Sequence, residues 1–567
     1  MIKSYFPYLL LLLLSFEGLS QTRTQTTLDY QNRIHPEISS DFMVVSQNTH
    51  ATEAGYEILI KGGNAVDASV AVGFALAVTL PRAGNLGGGG FVLIYDKEKD
   101  DVTSIDYRSA APKSATSDLF IQDDSVVRFG HLVNAVPGSV AGLLKAHQDH
   151  GTMPLADLLM PAIRLARDGF EVTHDLNYVL EWGKESMLSN EASNNKFYKA
   201  NKDPIEIKST FKQPNLAKSL FMISKKGADV FYRGEIAKWI SEESLANGGL
   251  ITLEDMASYE AKYREPIVTS YRGYKIISMA PAASGGLVLL QTLNILENFD
   301  LKDSGHNSAK TIHILSEAMQ RAYADRAEYH GDPDFYDVPI KQILSKQYSK
   351  DLSDQISGMR TPDGQIYEGD LKKYDESPDT THFSIIDSKG NAVSNTYTLG
   401  SSFGSGVTIK KGGFLMNNQM RNFSHFYGRD DMQYGTSEAN KLEPGKRMIS
   451  TQTPTLVFDP KGDLFMILGS PGGGRIPNII TQVISNVIDH EMSFTEAMIA
   501  PRINQRLEGN LQLETGFSPD TISLLIERGH KVESSNTMGS VQAIFLDQGN
   551  IFGVADTRRP GALAKGN

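Results

Sequence analysis

Apolar and polar positions along the chain follow first one period and then another. Residues 311–331 place apolar side chains at Ile312, Leu315, Met319, Ala322 and Tyr323, the spacing of one helix face, and Gly331 with Pro333 ends the pattern. Ala65 to Leu80 is apolar almost throughout, interrupted by Asp67 and stopped by Pro81. A bilayer span takes about 20 residues, so this run predicts a buried helix. Ile476, Ile479, Ile480, Val483, Ile484, Val487 and Ile488 recur at helical spacing, with Pro477 in the first turn. The stretch 40–335 alternates such helices with glycine punctuation, and polar text over 357–379 predicts an exposed linker. Beyond it the pattern turns strand-like, predicting strands at 381–387, 392–399, 406–410 and 413–416.

The first two of those strands form a predicted hairpin. Asp387-Ser388-Lys389-Gly390-Asn391 reads as a three-residue loop with Gly390 in the left-handed position and Asp387 paired with Asn391. Carried back along the ladder, that register sets Thr380 opposite Thr398, with Cβ atoms about 5 Å apart on one face. A threonine pair on a sheet is by itself an ordinary surface feature. A threonine hydroxyl becomes a nucleophile only when a base takes its proton, and the residue's own α-amine can do so once the chain is cut before it. The linker ending at Asp379 suits such a cut, by attack of the Thr380 hydroxyl on the Asp379 carbonyl.

Other motifs compete with this reading. NLGGGGF (85–91) and GSPGGGR (469–475) lack the lysine and spacing of a phosphate-binding loop. The second does feed the helix containing Pro477, so its backbone N–H groups are available to an anion. Gly400-Ser401-Ser402-Phe403-Gly404 has the spacing of a serine-hydrolase elbow, but strand-like Val407-Thr408-Ile409-Lys410 follows where that motif needs a helix. No clustered metal-binding histidine motif occurs in the sequence.

Composition narrows the setting. The 567 residues are 40% hydrophobic and 22% charged, as in a globular protein with ample core. A net charge of −12 argues against a nucleic-acid partner or an anionic membrane surface. There is no cysteine, which removes disulfides, thiol nucleophiles and lipid anchoring through cysteine. Lys3, an apolar block through Phe16 and then Gly18-Leu19-Ser20 predict a signal peptide over 1–20, no membrane anchor, and a secreted or periplasmic protein.

Taken in order, GGNAVDASVA (62–71), GNLGGGGF (84–91), YRSAAP (107–112), VPGSVAG (136–142), PAASGG (281–286), TTHFSIID (380–387), TYTLGSSFG (396–404), NNQM (417–420), SPGGGRI (470–476) and GFSPDT (516–521) resemble the γ-glutamyltransferase (γ-glutamyltranspeptidase) family of N-terminal-nucleophile hydrolases across nearly the whole chain. The resemblance implies an α+β protein with a four-layer αββα sandwich, made as one precursor and cut into a large subunit (21–379) and a small one (380–567) that stay together as a heterodimer. It implies Thr380 as nucleophile, Thr398 as its hydrogen-bonding partner, and the N–H groups of Gly472 and Gly473 as oxyanion donors. Arg108 is implied as the clamp on a substrate carboxylate, helped by Ser450 and Thr451. Gln419 and Asn422 fall in the substrate-amine region, and Tyr434 gates a lid over 424–440. His382 reads as a structural hydrogen-bonder, since the α-amine fills the role of base.

Two positions depart from the family pattern. Asn422 stands where an aspartate is usual, with Asp430 or Asp431 of the lid as substitutes, and Gly400 stands where an asparagine is common. The implied reaction is cleavage of glutathione or other γ-glutamyl compounds, with water, an amino acid or a dipeptide as acceptor and no cofactor. The alternatives are a glutaryl-type cephalosporin acylase with the same machinery, and an unprocessed binding protein.

Overall fold

The apolar run after Asn64 is a helix, Ala65–Thr79, buried at every position. Asp67 is what starts it. The Asn64 side chain accepts from the Asp67 N–H while the Asp67 carboxylate accepts from the Asn64 N–H at 3.0 Å, a reciprocal cap. The same carboxylate takes the Thr152 N–H and hydroxyl and the Met153 N–H, so a buried acid is satisfied by four groups. The computed structural model describes residues 33–122, 125–366, 379–425, 437–507 and 509–567. The segment read as a signal peptide, most of the lid with Tyr434, Asp430 and Asp431, and the linker part 367–378 lie outside them.

Two seven-stranded antiparallel sheets organise the α+β fold. One runs Leu563–Gly566, Met43–Ser46, Thr381–Ile386, Ala392–Thr398, Gly89–Asp96, Asp101–Tyr107 and Lys262–Arg264. The other runs Glu37–Ser39, Asn550–Ala555, Gln542–Asp547, Leu464–Gly469, Thr455–Phe458, Tyr274–Ser278 and Ile267–Tyr271. The strand period of two sorts their side chains. Phe91, Leu93, Ile386 and Ala392 of the first sheet meet Ile277, Leu456, Ile467 and Ile544 of the second. The intervening Val92, Ile94, Phe383 and Ile385 pack outward with the Ala65–Thr79 and Ser139–His150 helices. Ile276, Val457, Met466 and Leu468 pack outward with Ser284–Leu296, Ala309–Tyr329 and Ile476–Ile488. Both sheets therefore draw strands from either side of residue 380.

The hairpin is central in its sheet, and its register is the one predicted. Thr381 faces Tyr397 and Ile386 faces Ala392. Gly390 has φ +84° and donates to the Asp387 carbonyl at 2.9 Å. Close approach to this hairpin explains the run NLGGGGF: a Cβ on Gly88 would lie 2.4 Å from the Thr398 carbonyl, and one on Gly90 2.4 Å from that of Thr396.

Two expectations need correction and a third gains a detail. The 406–410 and 413–416 segments form no ladder. Ile409 accepts from Gly412 and Gly413 and donates to Phe414, a tight loop with one bridge between Thr408 and Leu415. The 311–331 helix spans Ala309–Tyr329 and stops at His330, before Gly331. The early linker is tethered although exposed, because Glu317 accepts from the Thr361 N–H and hydroxyl and Arg360 donates to the Arg528 carbonyl.

Removing the Asp67 carboxylate strands part-buried backbone donors of Asn64, Thr152 and Met153. Asp67→Ala is expected to lower the unfolding free energy by about 2–4 kcal/mol in urea denaturation, and Asp67→Asn by less.

Candidate active site

The strand pleat that buries Ile386 and Ala392 between the sheets also aims Ser384, His382, Ser394 and Thr396 into that space. The polar end of the inter-sheet layer is closed to bulk solvent: all four side chains are fully buried, and Thr380 and Thr398 nearly so. His382 sets its Nδ1 2.7 Å from the Thr396 hydroxyl and its Nε2 3.1 Å from that of Ser384. Burial pushes the imidazole down to about 3, so it is neutral and is held as a spacer, as the sequence suggested.

Thr398 is oriented from both sides. It accepts from the Gly400 N–H at 3.0 Å and donates to the carbonyl of Asp379 at 2.9 Å. That carbonyl belongs to the peptide bond just before Thr380. A hydroxyl at this distance polarises the carbonyl. Gly400 can present its N–H because it has φ +100°, where a Cβ would stand 2.3 Å from the Asn418 carboxamide oxygen. The Asp379 carboxylate lies 3.4 Å from Arg559, an ion pair that sequence reading missed.

The glycine loop comes to the same end of the layer. Its strand, Leu464–Gly469, crosses the hairpin, where Ser394 donates to the Leu468 carbonyl at 3.2 Å. Gly469 approaches so closely that a Cβ would fall 2.3 Å from the His382 ring. Gly472 and Gly473 follow at φ +146° and +56°, ahead of the Ile476–Ile488 helix, where N–H groups have no intrahelical acceptor.

Arg108 is buried, with its guanidinium donating to the Met448 and Ile449 carbonyls at 3.3 Å. Its backbone is pinned by Asp106 and by the Tyr259 hydroxyl. Ser450 and Thr451 are next along that chain, so the structure brings Arg108, Ser450, Thr451 and the glycine loop together. Thr451 donates to the Gly473 carbonyl at 2.9 Å. Gln419 donates to the Thr398 carbonyl at 2.7 Å, a contact that fixes the end of the hairpin. Asn422 closes the short helix Gln419–Asn422, and Asn440 donates to its carbonyl at 2.7 Å. Asn440 also accepts from the Ile449 N–H, joining the Asn422 segment to the one that holds Arg108. No motif drew attention to Asn440.

A buried hydroxyl pair beside a polarised peptide carbonyl, a glycine loop leading into a helix N-terminus and a neighbouring guanidinium fit an acyl-transfer enzyme that works through a hydroxyl nucleophile. Residues 51–566 match the family model described as Gamma-glutamyltranspeptidase. The chain is 46% identical to the "Glutathione hydrolase proenzyme" of Escherichia coli K12, over 94% of this chain and 93% of that protein. In structure it is similar to cephalosporin acylase from Bacillus halodurans, with a TM-score of 0.85 at 27% identity over 96% of this chain and 98% of that one. It is also similar to Helicobacter pylori γ-glutamyltranspeptidase, with a TM-score of 0.53 at 43% identity over 54% of this chain and 89% of that one. The chain belongs to the γ-glutamyltranspeptidase family.

Because His382 stays neutral when folded, the unfolded chain gains a proton below about pH 6.5 that the folded chain refuses until about pH 3. Its contribution to stability is complete above pH 6.5 and is lost as pH falls through that window. His382→Gln is expected to make the acid side of the stability–pH curve shallower, by up to about 1.4 kcal/mol per pH unit in urea titrations.

Proposed function

We propose that Thr380 is the nucleophile of this enzyme, a γ-glutamyltransferase of the glutathione hydrolase type, and that it is released by the chain itself. The observation that carries the reading is the Thr398 hydroxyl donating to the carbonyl of Asp379. In the first stage the Thr380 oxygen attacks that carbonyl carbon, and the developing negative oxygen is held by Thr398. The bond from Asp379 carbon to Thr380 nitrogen breaks, the nitrogen taking the proton given up by the hydroxyl, which leaves an ester and a free amine. Water then opens the ester, giving an Asp379 carboxylate and an N-terminal Thr380. The resulting two pieces, up to Asp379 and from Thr380, remain associated because both sheets are built from strands of each. This supports the four-layer αββα sandwich of the N-terminal-nucleophile hydrolases, formed by two subunits of one precursor. The N-terminal sequence supports export to the periplasm or beyond, with cleavage near Ser20.

In the second stage the liberated amine takes the Thr380 proton and the oxygen attacks the γ-amide of glutathione or a related compound. The N–H groups of Gly472 and Gly473 receive the oxyanion, and Arg108, with Ser450, grips the glutamyl α-carboxylate. The amine leaves with the proton, and water or an acceptor amine resolves the ester. Gln419 acts on the nucleophile side, through the Thr398 carbonyl.

One observation keeps a second substrate in view. Asn422 offers a carboxamide to the α-ammonium where a carboxylate would give a charge-assisted bond worth about 1.5–3 kcal/mol. A glutaryl group, which lacks that ammonium, is disfavoured less than usual, in keeping with the likeness to a cephalosporin acylase. We place γ-glutamyl amides first.

Thr380→Ala is expected to give a single full-length, inactive chain on denaturing gels, where the parent gives two bands. A two-band pattern in the variant removes Thr380 from the cleavage. Asn422→Asp is expected to raise the ratio of kcat/KM for γ-glutamyl over glutaryl anilide by about 10- to 100-fold; an unchanged ratio shows that the ammonium is held elsewhere.

A further inference from the structure

The four carbonyls of Pro471 to Gly474 each accept a hydrogen bond, three of them from side-chain hydroxyls. The Ser470 hydroxyl donates to the Pro471 carbonyl at 2.6 Å and is itself fixed by the Ser540 N–H at 3.1 Å. The Gly472 carbonyl accepts from the Arg475 N–H at 3.2 Å. The Gly473 carbonyl accepts from the Thr451 hydroxyl at 2.9 Å, and the Gly474 carbonyl accepts from the Tyr323 hydroxyl.

A trans peptide is planar, so the N–H at one end points opposite the carbonyl at the other. Fixing the Pro471 carbonyl therefore aims the Gly472 N–H. Fixing the Gly474 carbonyl through Tyr323 aims the Arg475 N–H, which holds the Gly472 carbonyl, and that in turn aims the Gly473 N–H. Thr451 sets the plane on the far side of Gly473. Glycines at φ +146° and +56° have no side chain to hold them in place, so three hydroxyls do what local sterics cannot.

We infer that Ser470, Thr451 and Tyr323 are positioning residues that aim the Gly472 and Gly473 N–H groups at the reacting carbonyl oxygen. The inference rests on the assignment of those two groups as oxyanion donors. It gives Thr451 a task distinct from gripping a carboxylate. It also makes the site depend on both sides of the cut: Tyr323 lies in the Ala309–Tyr329 helix before residue 380, and the loop it steadies lies after it. Chain cleavage uses a different donor, since the Asp379 carbonyl is held by Thr398. The two reactions of Thr380 therefore rely on different donors, and the hydroxyls acting on the loop serve only the second.

The test compares Tyr323→Phe, Thr451→Val and Thr451→Ser with the parent, using a γ-glutamyl anilide and a boronate analogue of the glutamyl group, which forms a tetrahedral adduct. Tyr323→Phe and Thr451→Val are expected to lower kcat about tenfold and to weaken the boronate in parallel. KM is expected to stay within about twofold, as is the rate of cleavage between Asp379 and Thr380, while Thr451→Ser restores kcat. Unchanged kcat in both hydroxyl-deleting variants overturns the inference. So does a fall in kcat matched by slower chain cleavage, the mark of a general folding defect. If Tyr323→Phe does not fold, the Thr451 pair decides: a raised KM at full kcat makes Thr451 a substrate clamp instead. Acyl transfer to Thr380, read by mass spectrometry of the quenched parent enzyme, reports on the underlying nucleophile assignment separately.

Discussion

The hydrogen bond from the Thr398 hydroxyl to the Asp379 carbonyl depends on the hairpin ladder and on the close packing around it. A slip of one residue would turn Thr398 to the opposite face of the sheet. Gly88 and Gly90 let the neighbouring strand close in on Thr396 and Thr398, and Gly400 turns back to hold the Thr398 oxygen. Gln419 fixes the carbonyl of the same residue. Several details of the local sequence are thus one device: they hold a single hydroxyl in one orientation, facing one peptide bond.

Burial gives that device its chemistry. In the buried polar end of the space between the sheets, a hydrogen bond to a developing oxyanion is stronger than in bulk water. The same burial makes His382 a poor base, by pushing its imidazole down to about 3. The cut we propose before Thr380 supplies a proton acceptor in place, as an amine, and in that proposal one bond cleavage links activation to catalysis.

Much of this was legible in the sequence. Period-two alternation with a glycine at the loop fixed the hairpin register, and helical spacing located Ala65–Thr79, Ala309–Tyr329 and Ile476–Ile488. The 406–416 segment was misread because its alternation serves a tight loop around Ile409, which no periodic pattern distinguishes from a short hairpin. Tyr323 was legible only as an apolar helix position, since periodicity records its ring and ignores its hydroxyl. Thr451, Asn440 and Arg559 act through backbone carbonyls, amides or a carboxylate that are far away in sequence. Long-range partners of that kind leave no local signal.

The most direct test of the account is Edman sequencing of the smaller fragment, followed alongside activity as freshly purified precursor matures. The account predicts a fragment beginning Thr-Thr-His-Phe, with activity rising in step with its appearance. A new amino terminus at any other residue, or full turnover while the bond between Asp379 and Thr380 is intact, would contradict it.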